Sequence, residues 1–367
     1  MAILFFMNAG TPRSILIVKT SAIGDVIQTF DALEYLRTKF PDARIDWVVE
    51  QGIAPLLRAH PMIDHVIEIK SKAWRRSLFQ KTTREELRHF SSQLKATTYD
   101  VLFDLQGNAK SAAVTSCAKA KAKVGFGWNS VREKCNLLVT NQRFNLPLGI
   151  NIRLKYLGLV KKYFSDFESF EAKGVRLNLS EEEINRLGSL IPKNQGNPLL
   201  MVCFGSKWPN KRLDEGTLTS LLEKIAADSS PSFYFIFGDE EERRFAEKLA
   251  NHFGDCSQLV GNLSLPLWQG LMWEMDGVIA VDSAALHLCG TTQTPSLSVF
   301  GPSLASAYKP MEERHAHIQG ACPYEKTFSS RCPLLRTCST GACIRNLPVD
   351  TLFEGYLCWK EAFMLGP

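Results

Sequence analysis

The sequence predicts an α/β protein made of two successive doubly wound domains with a cleft between them. Short continuous apolar runs of strand length alternate with longer helix-compatible stretches. That is the rhythm of βαβ units around a mostly parallel sheet covered on both faces. The rhythm stops across residues 165–196, which are polar and acidic, and then starts again. The chain has 367 residues, 45% of them hydrophobic and 22% charged. This is enough for two cores of ordinary size, and unlike a disordered or fibrous composition.

In the first half, residues 14–19 (SILIVK) read as a strand, 26–40 as a helix stopped by Pro41, and 43–50 (ARIDWVVE) as a second strand. Residues 53–60 suit a helix and 65–70 (HVIEIK) a third strand. A charged helix-compatible stretch fills 71–96, and 101–106 (VLFDLQ) forms another strand. In the second half, LSEEE at 179–183 is a capped helix start. Strands are expected at 198–206, 233–238, 277–283 and 296–301, with helices near 214–227, 240–252 and from Ala285. Residues 1–175 thus form an N-terminal domain and 176–347 a C-terminal one. A final helix over 348–367 aligns Leu352, Tyr356, Trp359 and Phe363 on one face, with the N-terminal domain as a candidate packing surface. No short-period repeat is present.

The charge is uneven. Residues 1–175 carry 26 Lys and Arg against 16 Asp and Glu, and residues 176–367 carry 17 against 22. One half therefore suits an anionic partner. No stretch approaches the ~18 apolar residues of a membrane span. The apolar segment 1–12 lacks a basic start and is too short for a secretory signal, so it reads as a ragged leader and the protein as cytoplasmic. Ten cysteines in two domains are not a disulfide framework.

Ligands of such sheets bind at the carboxyl ends of the strands, and the polar motifs fall there. KTSAIGDVIQT (19–29) follows the first strand; Asp25 in it suits either a helix cap or a general base. It lacks the phosphate-loop pattern. VDSAALHL (281–288) places Asp282, Ser283 and His287 where a helix start can hold a diphosphate, or where they simply cap and pack. GSKWPNKRL (205–213) offers Lys207, Lys211 and Arg212 for phosphate, or a solvated basic loop. The acidic run Glu240–Glu242 suits a helix N-terminus in any case, and one member suits ribose hydroxyls. Residues 70–95 hold eight cationic side chains with Trp74, Leu78 and Phe79 interleaved, a solvated face by default; no nucleic-acid module accompanies them. Cys322, Cys332, Cys338 and Cys343, at spacings of ten, six and five, suit zinc or equally a reduced, loop-packed cluster; no CxxC pair is present and no metal is assigned.

LIVKTSAIGDV (16–26), WVVE (47–50), DLQGNAKSA (104–112), WNSVRE (128–133), NKR (210–212), EEER (240–243) and VDSAALHL (281–288) occur in one order over about 280 residues. With them the chain resembles the ADP-heptose:lipopolysaccharide heptosyltransferases, glycosyltransferase family 9, and most closely the heptosyltransferase I type. The resemblance implies a GT-B fold, two Rossmann-like domains facing each other across the cleft. It implies inverting transfer of heptose from ADP-heptose to the Kdo region of lipid A in lipopolysaccharide inner-core biosynthesis. Asp25 then matches the catalytic base and Lys211 the lysine supporting the donor. Thr20, Ser21, Gly24, Ser206, Arg212, Glu240, Glu241, Asp282, Ser283, Ala284 and His287 match donor positions. Lys19, Arg75, Arg76, Lys110 and Arg132 match basic positions near the acceptor. No cofactor is required if Lys211 and the helix start after Ser283 carry the phosphate charge. Peripheral contact with the cytoplasmic face of the inner membrane follows from the acceptor, and no nucleic-acid partner is implied. Two departures are Ala284, where the family commonly has Gly, and Leu213, where the nearest relatives carry Trp. They leave a related family 9 enzyme with another donor or acceptor, or a non-enzymatic anion-binding module, as alternatives.

Overall fold

The computed structural model describes residues 11–191 and 196–363. Most of the expected leader and residues 364–367 lie outside this range. The chain divides into two compact units after Lys173, two residues before the boundary read from the sequence.

In the first unit, strands β1 (Ser14–Val18), β2 (Arg44–Glu50), β3 (His65–Ile69), β4 (Thr98–Asp104), β5 (Lys119–Phe126) and β6 (Gln142–Phe144) form one sheet in the order β3-β2-β1-β4-β5-β6. Every pairing is parallel. The helices between them are α1 (Ile23–Ile27), α2 (Phe30–Lys39), α3 (Ala54–Arg58), α4 (Ser71–Arg76), α5 (Lys81–Ala96) and α6 (Ala109–Cys117), with α7 (Ile152–Tyr163) after β6. After Ser14 the central strand β1 is apolar because it is covered on both faces; Ile15, Leu16, Ile17 and Val18 are all fully buried.

The second unit repeats the plan. After α8 (Glu181–Leu190) come β7 (Leu199–Cys203), α9 (Glu215–Ser229), β8 (Ser232–Phe237), α10 (Glu240–Phe253) and β9 (Ser257–Gly261). Then follow α11 (Leu265–Trp273), β10 (Gly277–Val281), α12 (Ala284–Cys289), β11 (Ser296–Phe300), α13 (Ala305–Tyr308), β12 (His315–Gln319), α14 (Ala342–Arg345) and α15 (Val349–Phe363). The sheet order is β12-β11-β10-β7-β8-β9, again all parallel. Counted from the first strand of each unit, both sheets have the dinucleotide-fold order 3-2-1-4-5-6. The strand order reverses between β1 and β4 in one unit and between β7 and β10 in the other.

Two expectations are corrected. The single helix expected over 71–96 is two, α4 and α5, parted at 77–80. The break lets Trp74 fold onto Phe90, ring centroids 5.3 Å apart, and donate its indole N–H to Glu86 at 2.7 Å. It leaves Leu78 and Phe79 in the turn, 51% and 85% exposed. The helix expected over 26–40 likewise divides into α1 and α2 around Thr29. The C-terminal helix belongs to the second unit, where Leu352, Tyr356 and Trp359 are buried in the core with Leu221, Leu222 and Ile225 of α9. Each of the three contributes about 2–3 kcal/mol by leaving water, so that face has no apolar surface to spare.

Candidate active site

In the first unit the loop after β1 runs from Lys19 into α1. Gln106, just beyond β4, holds it in place. Its Oε1 accepts the backbone N–H of Thr20 at 3.1 Å and of Ser21 at 3.2 Å, and the Trp47 indole donates to the Lys19 carbonyl at 3.0 Å. Asp104, buried at the end of β4, fixes that second loop. It accepts the N–H groups of Gln106 (3.1 Å) and Gly107 (2.9 Å), the Thr115 hydroxyl (3.0 Å) and the Asn136 amide (2.6 Å).

Asp25 is the third residue of α1 and only partly covered. Its Oδ2 accepts the Ala22 N–H at 3.4 Å, so it helps to cap α1 while its carboxylate stays within reach of solvent. The cap and base readings are compatible. Lys19 is 2% exposed, donating to the Leu105 carbonyl at 3.1 Å and to the Tyr156 hydroxyl at 2.6 Å. Burial lowers it to about 8, against the pull of Asp25 and Asp104. It therefore supports the loop from beneath. Thr20 is fully buried with its hydroxyl toward Gln106. Lys110 bridges the Ser21 hydroxyl at 2.9 Å and Glu50 at 2.8 Å. Gly24 is partly covered, and Arg132, Arg75 and Arg76 are exposed, the last two in the final turn of α4.

In the second unit, Asp282 follows β10 directly and is 6% exposed. The Lys211 ammonium and the Ser303 hydroxyl both donate to its Oδ2, and His287 Nε2 lies 3.7 Å from its Oδ1. Burial would push this carboxyl up, but Lys211, His287 and Ser303 together outweigh it and hold it below the ordinary value. Arg212 donates through Nε to the Ser206 carbonyl at 2.8 Å and through its two amino groups toward Glu241 (3.0 Å) and Glu242 (3.7 Å).

Of the three glutamates, the inward one is Glu242. It accepts the Gly238 N–H at 2.8 Å, and burial raises its carboxyl above the usual range. It lies against Gly205, where an added Cβ would stand 2.2 Å from Oε1 and displace the carboxylate. Glu240 and Glu241 are exposed. Glu240 lines a cavity of about 440 Å³ with Phe237, Asp239, Arg243, Leu259 and Asn262, at the ends of β8 and β9. Ser283 and Ala284 begin α12, which is only six residues long, so its dipole is a weak anchor for phosphate and the positive charge here is that of Lys211 and Arg212.

A match to glycosyltransferase family 9 (heptosyltransferase) spans residues 87–337. The chain belongs to that family. This family 9 glycosyltransferase is 29% identical over 289 residues to lipopolysaccharide heptosyltransferase 1 of Pseudomonas aeruginosa, covering 79% of each chain. To lipopolysaccharide heptosyltransferase 1 of Escherichia coli K12 it is 27% identical over 293 residues, covering 79% of this chain and 88% of that one. The solved structure of E. coli heptosyltransferase WaaC with ADP aligns with a TM-score of 0.72 at 24% identity, over 84% of this chain and 93% of that one. A family 9 glycosyl transferase from Veillonella parvula aligns at 0.74 and 16% identity, over 96% and 97%. The fold is GT-B, with two Rossmann-like domains in one chain.

Sequence reasoning missed three residues that organise the family 9 site. Gln106 and Asp104 stand inside the quoted DLQGNAKSA motif, but their partners lie some 80 residues away or in a neighbouring loop. Ser303 follows β11, and nothing in its local pattern points to Asp282. The inward turn of Glu242 was readable in principle, from the phase of α10: Glu242, Ala246 and Leu249 lie along one side, and the last two are buried.

Proposed function

We propose that this enzyme transfers heptose from ADP-heptose to the Kdo region of lipid A with inversion at the anomeric carbon. The observation that carries the reading is the pairing of a reachable carboxylate, Asp25 after β1, with a buried Lys211–Asp282–Ser303 cluster at the switch point of the second sheet, in a family 9 chain. The names of the relatives support it: WaaC has been solved with ADP and with ADP-2-deoxy-2-fluoro heptose.

In this mechanism Asp25 takes the proton of the acceptor hydroxyl, whose oxygen attacks the anomeric carbon. The bond from that carbon to the diphosphate breaks, and ADP leaves with the electron pair. Lys211 has three donors; Asp282 occupies one and fixes its direction, leaving the others for the departing diphosphate. Arg212 adds a second cation, and Glu242 is the carboxylate placed for the ribose hydroxyls. Neither step calls on a cofactor. Arg75, Arg76 and Arg132 attract the anionic acceptor. Work at the cytoplasmic face of the inner membrane, held there peripherally by the same basic surface, suits an acceptor embedded in lipid.

Purified protein given ADP-heptose and Kdo-lipid A should release ADP. Asp25→Asn should lower that rate by about 10²–10⁴-fold with unchanged circular dichroism. Normal turnover by Asp25→Asn would remove the base from the mechanism. Turnover with another nucleotide sugar in place of ADP-heptose would replace the donor.

A further inference from the structure

The turn at 77–80, between α4 and α5, holds two large apolar side chains in water. Hydrogen bonds pin it at both ends. The Gln80 N–H donates to the Ser77 carbonyl at 2.9 Å, and the Arg84 N–H to the Gln80 carbonyl at 3.1 Å. The Ser77 hydroxyl lies 3.0 Å from the Ala73 carbonyl and 2.9 Å from the hydroxyl of buried Thr83. The core beneath is already filled by Trp74, Phe90 and Leu94. Leu78 and Phe79 therefore stand outside it.

The cations flanking them are exposed as well: Lys72, Arg75 and Arg76 on α4, and Lys81, Arg84 and Arg88 on α5. Residues 70–88 hold seven Lys and Arg against only Glu85 and Glu86. Glu86 is taken up by Lys70 at 2.7 Å and by the Trp74 indole, and Glu85 lies 4.0 Å from Lys81. Because α5 carries the chain from the carboxyl end of β3 back to the start of β4, the turn lies toward the end of the sheet where Asp25 sits. Phe167 is as exposed as Phe79, 83% against 85%, but lies elsewhere. Its neighbour Asp166 pairs with Lys39 at the end of α2, toward the opposite end of the sheet, and acids flank it on both sides.

An exposed apolar tip rimmed by charge of one sign marks a partner surface. A second copy of the chain would bring like charges together. A nucleic acid would use the cations and leave Leu78 uncovered. An anionic bilayer answers both features, since headgroup phosphates meet the cations while the apolar side chains enter the acyl boundary. We propose that Leu78 and Phe79 form a wedge that enters the surface of an anionic phospholipid bilayer, with the six flanking cations at its headgroups. The long stems of Lys and Arg let their charges reach the phosphates on either side of the wedge. This rests on the reading of a lipid-embedded acceptor and deepens it, adding an apolar anchor to electrostatic attraction and naming its side chains.

The test uses the full chain in flotation with vesicles of phosphatidylethanolamine and phosphatidylglycerol, against vesicles of phosphatidylcholine alone. Wild-type protein should float with the anionic vesicles and not with the neutral ones. Leu78→Ser/Phe79→Ser should lower partitioning about tenfold. Its melting temperature should not change, because both side chains are exposed. Lys81→Gln/Arg84→Gln should lower partitioning by about 10–30-fold, and Phe167→Ser should leave it as it is. A Phe79→Trp protein should show emission that brominated acyl chains quench, beyond any quenching of wild type. Failure of wild type to float with anionic vesicles would overturn the proposal. So would equal flotation of Leu78→Ser/Phe79→Ser, or an equal loss in Phe167→Ser. Tighter binding to a DNA duplex than to the anionic vesicles, or a dimer that Leu78→Ser/Phe79→Ser dissociates, would overturn it by giving the patch to another partner. Flotation needs neither sugar nucleotide nor turnover, so its failure and that of the transfer reading are separate results.

Discussion

The two sheets share one strand order, yet the chemistry at their switch points is inverted. At the end of β1 the strand-end residue is a lysine, Lys19, sealed beneath the loop, and the group offered outward is the carboxylate of Asp25. At the end of β10 the strand-end residue is an aspartate, Asp282, sealed in its turn, and the group it orients is the ammonium of Lys211. In each case a buried charge of one sign sits under a working charge of the other. In the proposed reaction, one topology thereby presents a proton acceptor in the first domain and a cation for a leaving group in the second. The overall bias, basic in the first half and acidic in the second, runs opposite to these local choices. It belongs to outer surfaces such as α4 and α5.

The largest effect is expected from breaking the donor-side pair. Lys211→Met leaves Asp282 buried without its cation and should cost about 3–5 kcal/mol of stability by urea unfolding. It should also lower transfer about 10²–10³-fold. Lys211→Met/Asp282→Asn should regain most of the stability and little of the activity. Recovery of both would make the pair structural only and would end the comparison.

Lys19 sharpens the other side through pH. Its folded value is about 8 against an ordinary 10.5. Between those values the unfolded chain holds a proton the folded chain has released, so this group's contribution rises with pH and is lost as pH falls through 8. The full gain is bounded at about 3 kcal/mol. Unfolding of wild-type and Lys19→Met protein, measured from pH 7 to 10.5, should show a stability difference that is flat near pH 7 and shifts in favour of wild type as pH rises from about 8 toward 10.5. Parallel curves throughout would mean that Lys19 titrates normally and is not sealed.

The smallest effect concerns the exposed arginines. Neutralising Arg75, Arg76 and Arg132 should raise the acceptor KM about tenfold at low ionic strength and less in added salt. ADP affinity by calorimetry should stay within about twofold. An equal loss of ADP affinity would show that the charge bias serves both substrates.

The buried strands were legible because they are continuous apolar runs; β1, β7, β10 and β11 needed only that signal. The strands the sequence reading passed over are mixed. β5 (KAKAKVGF) alternates lysines, and β12 (HAHIQ), β9 (SQLVG) and β6 (QRF) sit at sheet edges where water replaces a neighbour. Asp25, Lys211 and Asp282 could be singled out because each follows a readable strand. Ser303 and Gln106 could not, because what makes them matter is a hydrogen bond to a residue brought near only by the completed sheet. Glu242 differs from its two neighbours only in helical phase. For Lys19 the residue type was noticed and its direction was not, since a lysine at a strand end is as able to point under the loop as over it.

The placement of α15 has a consequence for how the protein is made. Its Trp359 ring lies against Gly277 of β10, so near that an added Cβ would meet it at 2.6 Å. The sheet of the first domain draws all six strands from residues before 145, whereas the second core is closed by side chains at 352–359. During synthesis the first domain can mature while the second is still incomplete. The second must wait, with α9 uncovered, until Leu352, Tyr356 and Trp359 have left the ribosome. A stop codon ahead of residue 349 should therefore yield a protein with a native first domain attached to a second that aggregates or is degraded.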